Sequence, residues 1–204
     1  MPFPDRLQLP FQFNSTLLAR DLATLEDAPW TEHFVRQNYE GNWSAKPLRA
    51  GQGETHPIRM IYADPTCTEF VDTALLARTP YFQQVLATFE CPLRCARLMR
   101  LAPDSHIKEH SDLELDFESG HVRLHLPVLT HDAVEFYLNQ KRVPLAAGTC
   151  WYLRLSDPHR VSNPGPTDRV HLVIDASVNE WLRDLFTRAA SSSPLPTTPN
   201  PAAL

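Results

Sequence analysis

Basic residues are in short supply in this chain: 19 Lys and Arg stand against 24 Asp and Glu, a formal charge of −5. Nucleic-acid binders normally carry a basic face, so that class of partner is not expected. Long apolar runs are missing as well. No segment approaches the roughly 18 apolar residues that span a bilayer, and "MPFPDRLQLPFQF" has no basic stretch followed by an apolar one, so no signal peptide is read there. A cytoplasmic location and no membrane partner are the expectations. Cysteine is scarce, with Cys67, Cys91, Cys95 and Cys150 in 204 residues. That is too few for a disulfide framework in a chain of this length. Cys91 and Cys95 could be half of a zinc site, but no second pair completes it. Buried free thiols are expected instead. No internal repeat is visible.

What is present is ordinary globular composition, 43% hydrophobic and 21% charged, in a chain long enough to bury its own core. Residues 1–190 read as one domain. The stretch 191–204, "SSSPLPTTPNPAAL", is Ser/Thr/Pro-rich without apolar period and reads as a disordered tail. The first third reads mostly helical. Leu18, Leu22 and Leu25 fall at helical spacing after Asn14 or Ser15 as N-cap. Phe82, Val85, Leu86 and Phe89 do the same after Thr79 and Pro80. Between them "YEGNWSAKPLRAGQG" reads as strand and loop. From about residue 96 the period becomes alternating: "ARLMRLA", "HVRLHLPV", "AVEFYLN", "GTCWYLRL" and "DRVHLVID" are short strands divided by turn residues. A last helix is predicted after Ser177 as N-cap with Glu180 three residues on, burying Trp181, Leu182, Leu185 and Phe186. The fold class is mainly β with flanking helices, an eight-strand jelly-roll or cupin-like barrel, that is, a double-stranded β-helix.

Alternation also assigns faces, because residues i and i+2 of a strand share one. In "HVRLHLPV" Val122, Leu124, Leu126 and Val128 oppose Arg123 and His125. In "DRVHLVID" Val170, Leu172 and Ile174 oppose Arg169, His171 and Asp175. If the aliphatic rows pack against helices, the Arg/His rows look into the barrel. Nearby, His110 and Asp112 are also two apart, so an extended segment presents both to one point. An imidazole and a carboxylate are two thirds of the 2-His-1-carboxylate set that holds Fe(II) with positions left open. The missing histidine must come from far along the chain: His121, His125, His131, His159 and His171 are the candidates. His159 sits in the turn-rich "SDPHRVSNPG", 49 residues after His110, and Arg169 follows ten residues later. A guanidinium there suits the free carboxylate of a dicarboxylate co-substrate.

Together "HSD", "RLHLPV", "GTCWYL", "PHRVSNPG" and "DRVHLVID", with the upstream "WTEHFVRQNYEGNWSAKPLR", resemble the aspartyl/asparaginyl β-hydroxylase family of Fe(II)/2-oxoglutarate dioxygenases, relatives of bacterial free-proline hydroxylases. The likeness spans roughly residues 30 to 182. It implies that His110, Asp112 and His159 are the catalytic metal ligands and that Arg169 pairs with the distal carboxylate of 2-oxoglutarate. It also implies that Arg123 and His125, the family's R-x-H, contact the co-substrate; Arg123 could instead bind a substrate carboxylate. Animal membrane-anchored members lack the carboxylate ligand that Asp112 would supply, and no counterpart of the C-terminal helical extension of proline hydroxylases is expected after Phe186. The implied reaction uses Fe(II), dioxygen and 2-oxoglutarate to hydroxylate an aminoacyl group on a small molecule or peptide. The alternative is a cupin-like protein that binds a metal or small acid without turnover. Of the remaining residues, His171 reads as barrel filling, Trp43 and Trp151 as core, Asn163 as a turn residue, and His106, His121 and His131 as exposed. Residues 41–62 and 113–121 are expected to border the substrate.

Overall fold

The computed structural model describes residues 3–192, and the tail expected over 191–204 lies almost wholly outside them. Thirteen strands are described: β1 Arg6–Gln12, β2 Thr31–Glu32, β3 Tyr39–Glu40, β4 Trp43–Gly51, β5 Phe70–Asp72, β6 Leu93–Leu101 and β7 Ser105–His110 come first. β8 His121–Leu129, β9 Glu135–Leu138, β10 Lys141–Arg142, β11 Thr149–Leu153, β12 His159–Asn163 and β13 Arg169–Ser177 follow. The helices are α1 Ser15–Ala23, α2 Pro57–Met60, α3 Ala74–Ala77, α4 Pro80–Ala87 and α5 Glu180–Ser192. An eight-stranded sheet runs β1-β11-β8-β13-β6-β4-β2, with β5 added beside β4; a five-stranded sheet runs β10-β9-β12-β7-β3. The two sheets form a jelly roll, mainly β as expected, with more strands than the eight anticipated, five of them short: β2, β3, β5, β9 and β10.

Two apolar layers hold it. Between the sheets pack Trp43, Met99, Leu101, Leu153 and Val173 from one side and Tyr39, Ile107, Phe136, Leu138 and Val161 from the other. Outside the larger sheet lie Val122, Leu124, Leu126, Leu172 and Ile174, covered by Leu18 of α1, Phe82, Val85 and Leu86 of α4, and Leu182, Leu185 and Phe186 of α5. The aliphatic rows of β8 and β13 therefore do face the helices. At about 25 cal/mol per Å² of apolar surface buried, each such side chain contributes roughly 1.5–3 kcal/mol. The cysteines are unpaired thiols, with Cys91, Cys95 and Cys150 buried.

Three local expectations change. The first third is not mostly helical, since β1 to β5 run through it. Leu7 and Leu9, each 1% exposed, alternate along β1 and seal the sheet edge beside β11. The N-cap of α5 is Asn179, whose Oδ1 accepts from the Leu182 amide at 3.0 Å, while Ser177 still belongs to β13. The side chain of Thr79 does not cap α4. Its first amides, those of Tyr81 and Phe82, donate instead to the buried Asp21 carboxylate of α1 at 2.6 and 3.1 Å, a favourable place for negative charge at a helix start. Asn14 caps α1 as read.

Candidate metal centre

Strand β12 carries His159 in the middle of the smaller sheet, paired with His110 at the end of β7. The stretch read as turn-rich holds a short strand between its turns, and His159 is 5% exposed. His110 reaches the same side through a bulge. His159 pairs with His110 and Val161 with Ile107, so Lys108 and Glu109 together oppose Arg160. Ile107 points between the sheets. Strict alternation would put Glu109 beside it and send His110 outward; the extra residue reverses that, a common use of bulges near sites. Asp112 follows on the next turn, its amide tied to the Leu155 carbonyl at 2.8 Å.

One ligand atom from each of His110, Asp112 and His159 lies within 4.8 Å of the others. His110 Nε2 is 3.8 Å from Asp112 Oδ1, and the imidazoles are 4.2 Å apart between centroids. Both Nδ1 atoms are held by backbone carbonyls two residues back, Lys108 at 2.8 Å and Asp157 at 3.0 Å. That fixes Nδ1 as the protonated nitrogen and leaves each Nε2 lone pair for the shared point. Burial, then the neighbouring His110, pushes His159 down to about 4, so it is neutral at pH 7. The donor set fits a divalent metal of the Fe(II) type.

Around this cluster is a cavity of about 440 Å³. The inward face of β8 supplies Arg123 and His125 and that of β13 supplies Arg169 and Asp175, as alternation predicts. Arg123 donates through Nη1 to Asp112 Oδ2 at 2.7 Å and through Nε to Asp175 Oδ1 at 2.6 Å. Its donors are largely committed to carboxylates of the chain, an arrangement the sequence reading did not foresee. Arg97 donates to Asp175 Oδ2 at 2.8 Å. Asp175, buried between two guanidinium groups, is held well below the usual carboxylate range, Arg123 and Arg97 outweighing desolvation.

Arg169 is different. It is 3% exposed, yet no carboxylate pairs with it among the described residues, and its Nε has no hydrogen-bond partner. Its Nη2 donates to His171 Nδ1 at 2.8 Å, and His125 Nδ1 lies 3.4 Å from that same atom. Arginine only donates, so His171 must accept there. Burial alone lowers Arg169 to about 9, which leaves it cationic at neutral pH. Other polar atoms in the cavity wall are also unpartnered among the described residues: Trp43 Nε1, Arg97 Nε and His125 Nε2. Such buried orphans are uncommon and leave room for a water or a ligand to complete them.

Some residues were misplaced by sequence reasoning. His121 is half-buried in the cavity wall, not exposed. His131 packs its ring against Gly165 and is likewise not exposed. His33, overlooked, stacks on Trp43 at 3.5 Å between centroids and lines the cavity; burial, then Arg97, lowers it to about 3. No sequence spacing marks it, because β2 meets β4 only in the folded sheet. Trp43 is core and cavity wall at once. Asn163 ties its own turn, accepting from Gly165 and donating to Thr167 and Leu101 carbonyls.

Residues 13–178 match the model of the aspartyl/asparaginyl beta-hydroxylase family. The chain belongs to that family. A curated family relative, the L-proline cis-4-hydroxylase of Rhizobium meliloti (strain 1021), is 29% identical over 167 residues, which is 80% of this chain and 58% of that protein. The chain thus spans less than two thirds of that relative's length. Two solved structures share the fold of this aspartyl/asparaginyl beta-hydroxylase family member. An oxidoreductase of the 2OG-Fe(II) oxygenase family from Burkholderia pseudomallei has TM-score 0.51 and 18% identity, covering 86% of this chain and 88% of that one. The viral collagen prolyl hydroxylase of Paramecium Bursaria Chlorella virus-1 has TM-score 0.50 and 7% identity, covering 86% and 97%. No helix among the described residues is long and apolar enough to cross a membrane.

Proposed function

We propose that this protein is an Fe(II)- and 2-oxoglutarate-dependent hydroxylase of an aminoacyl group. His110, Asp112 and His159 would hold the metal. Arg169 would take the distal carboxylate of 2-oxoglutarate, and His125 would offer its unpartnered Nε2 to the same molecule. When bound, the metal with dioxygen and 2-oxoglutarate supplies the oxidising power, 2-oxoglutarate leaving as succinate and CO2. The chain's own contribution is placement. Arg123 keeps Asp112 turned toward the histidines, and Asp175 keeps Arg123 there. The walls of Trp43, Phe136 and Val161 exclude water from the centre. The observation that carries the reading is Arg169: a buried cation, lacking a carboxylate partner among the described residues, in the same cavity as the His/Asp/His cluster.

The relative's name makes L-proline the first substrate to try, and residues 1–190 the unit to try it on. The deciding experiment is anaerobic addition of Fe(II) and then 2-oxoglutarate, watching for the visible charge-transfer band of 2-oxoglutarate on Fe(II). The band is expected in wild type and absent in Asp112→Ala and Arg169→Ala. Metal bound without any band would leave a cupin-like binding protein.

A further inference from the structure

A second bulge aims a side chain into the cavity. In β6 Ile174 pairs with Ala96 and Ala176 with Leu93, so Arg94 and Cys95 together oppose Asp175. Ala96 faces the helices. Alternation would place Arg94 on that side, but the extra residue turns it to the cavity wall. Its Nη2 donates to the Asp64 carbonyl at 2.8 Å, Nη1 lies 3.4 Å from His121 Nδ1, and the guanidinium stands over Phe70 at 5.4 Å. These contacts brace the group; the Asp64 carboxyl feels its charge at a distance, but no ion pair among the described residues neutralises it.

Counting charges around the cavity isolates this residue. Its wall contains four arginines, Arg94, Arg97, Arg123 and Arg169. Arg97 and Arg123 share Asp175, and Arg123 also holds Asp112. Arg169 is assigned above to the co-substrate. Arg94 remains, half-buried and without a carboxylate within 4.0 Å among the described residues. Glu114, on the loop after Asp112, lines the same cavity but makes no ion pair with it. The neighbouring rim is apolar: Phe34 is 41%, Tyr62 42% and Leu113 90% exposed. On β8, His121, Arg123 and His125 share a face, and each two-residue step is about 7 Å. Arg94, braced on His121, thus sits about one step from the arginine that holds Asp112.

We infer that Arg94 anchors the carboxylate of the hydroxylation substrate, which is a free acid with an apolar body that meets Phe34, Tyr62 and Leu113. This rests on the hydroxylase reading. Charge-assisted hydrogen bonds to a partly buried guanidinium are worth about tenfold to a hundredfold in affinity. Calorimetric titration of the Mn(II)- and 2-oxoglutarate-loaded protein with L-proline, L-leucine and L-aspartate, each beside its C1 carboxamide, tests it. At least one acid should bind wild type more tightly than its amide by that factor. Arg94→Gln should erase the difference, and Arg94→Lys, which keeps the charge, should retain part of it. The same acid preference in Arg94→Gln, or no acid preferred by wild type, overturns the assignment. Succinate release from 2-oxoglutarate by wild type scores the hydroxylase reading separately: its absence beside an Arg94-dependent acid preference would remove the reaction and keep the anchor.

Discussion

Strands β8 and β13 each carry two faces that solve opposite problems. Toward the helices, Val122, Leu124, Leu126, Leu172 and Ile174 are fully buried among other apolar side chains. Toward the interior of the jelly roll, His125, Arg169, His171 and Asp175 are nearly as buried and Arg123 is half-buried, but their polar atoms pair across strands or have no partner among the described residues. The first face gains stability from the removal of apolar surface from water. The second loses desolvation free energy that only ion pairs or a ligand can offset. One strand thus serves as an apolar wall on one side and a polar cavity wall on the other.

The strongest way to break this contrast is Asp175→Asn. It leaves Arg97 and Arg123 buried with their shared counter-charge gone, and unfolding in urea should show a loss of about 3–5 kcal/mol. A loss under about 1 kcal/mol, the surface range, would mean that the cavity face behaves like solvent. The opposite sign is expected at Arg169→Leu, because the cation has no carboxylate partner among the described residues. That variant should gain about 1–3 kcal/mol while the melting shift produced by 2-oxoglutarate disappears. Equal or lower stability would show that Arg169 is adequately paired by His171. The smallest effect belongs to the apolar face. Ile174→Val should cost about 0.5–1.5 kcal/mol and leave Mn(II) affinity, followed by calorimetry, where it was.

Much of the candidate site's geometry was readable along the chain. His110 with Asp112, then His159 and Arg169, are chemical types at separations that a β-rich chain can bring together, and the cavity-facing rows follow from period two. The bulges were not readable. Whether His110 or Glu109 points inward depends on pairing with β12, and whether Arg94 points inward depends on pairing with β13. The same limit hid β1: Leu7 and Leu9 alternate locally, but only β11 gives them an edge to join. His33 and the Asp175–Arg97 pair are contacts between segments far apart in sequence.

By itself, then, the sequence determined the period of the strands, the apolar rows that seek the helices, and the residue types able to hold a metal and an acid. These are local properties, set by side-chain chemistry and by the two-residue repeat of an extended backbone. Only the tertiary structure decided register. Register chose which side chains the two bulges turned inward, which arginines met Asp175 and Asp112, and which two make no ion pair among the described residues, because inter-strand hydrogen bonds couple each residue's facing to a partner many positions away.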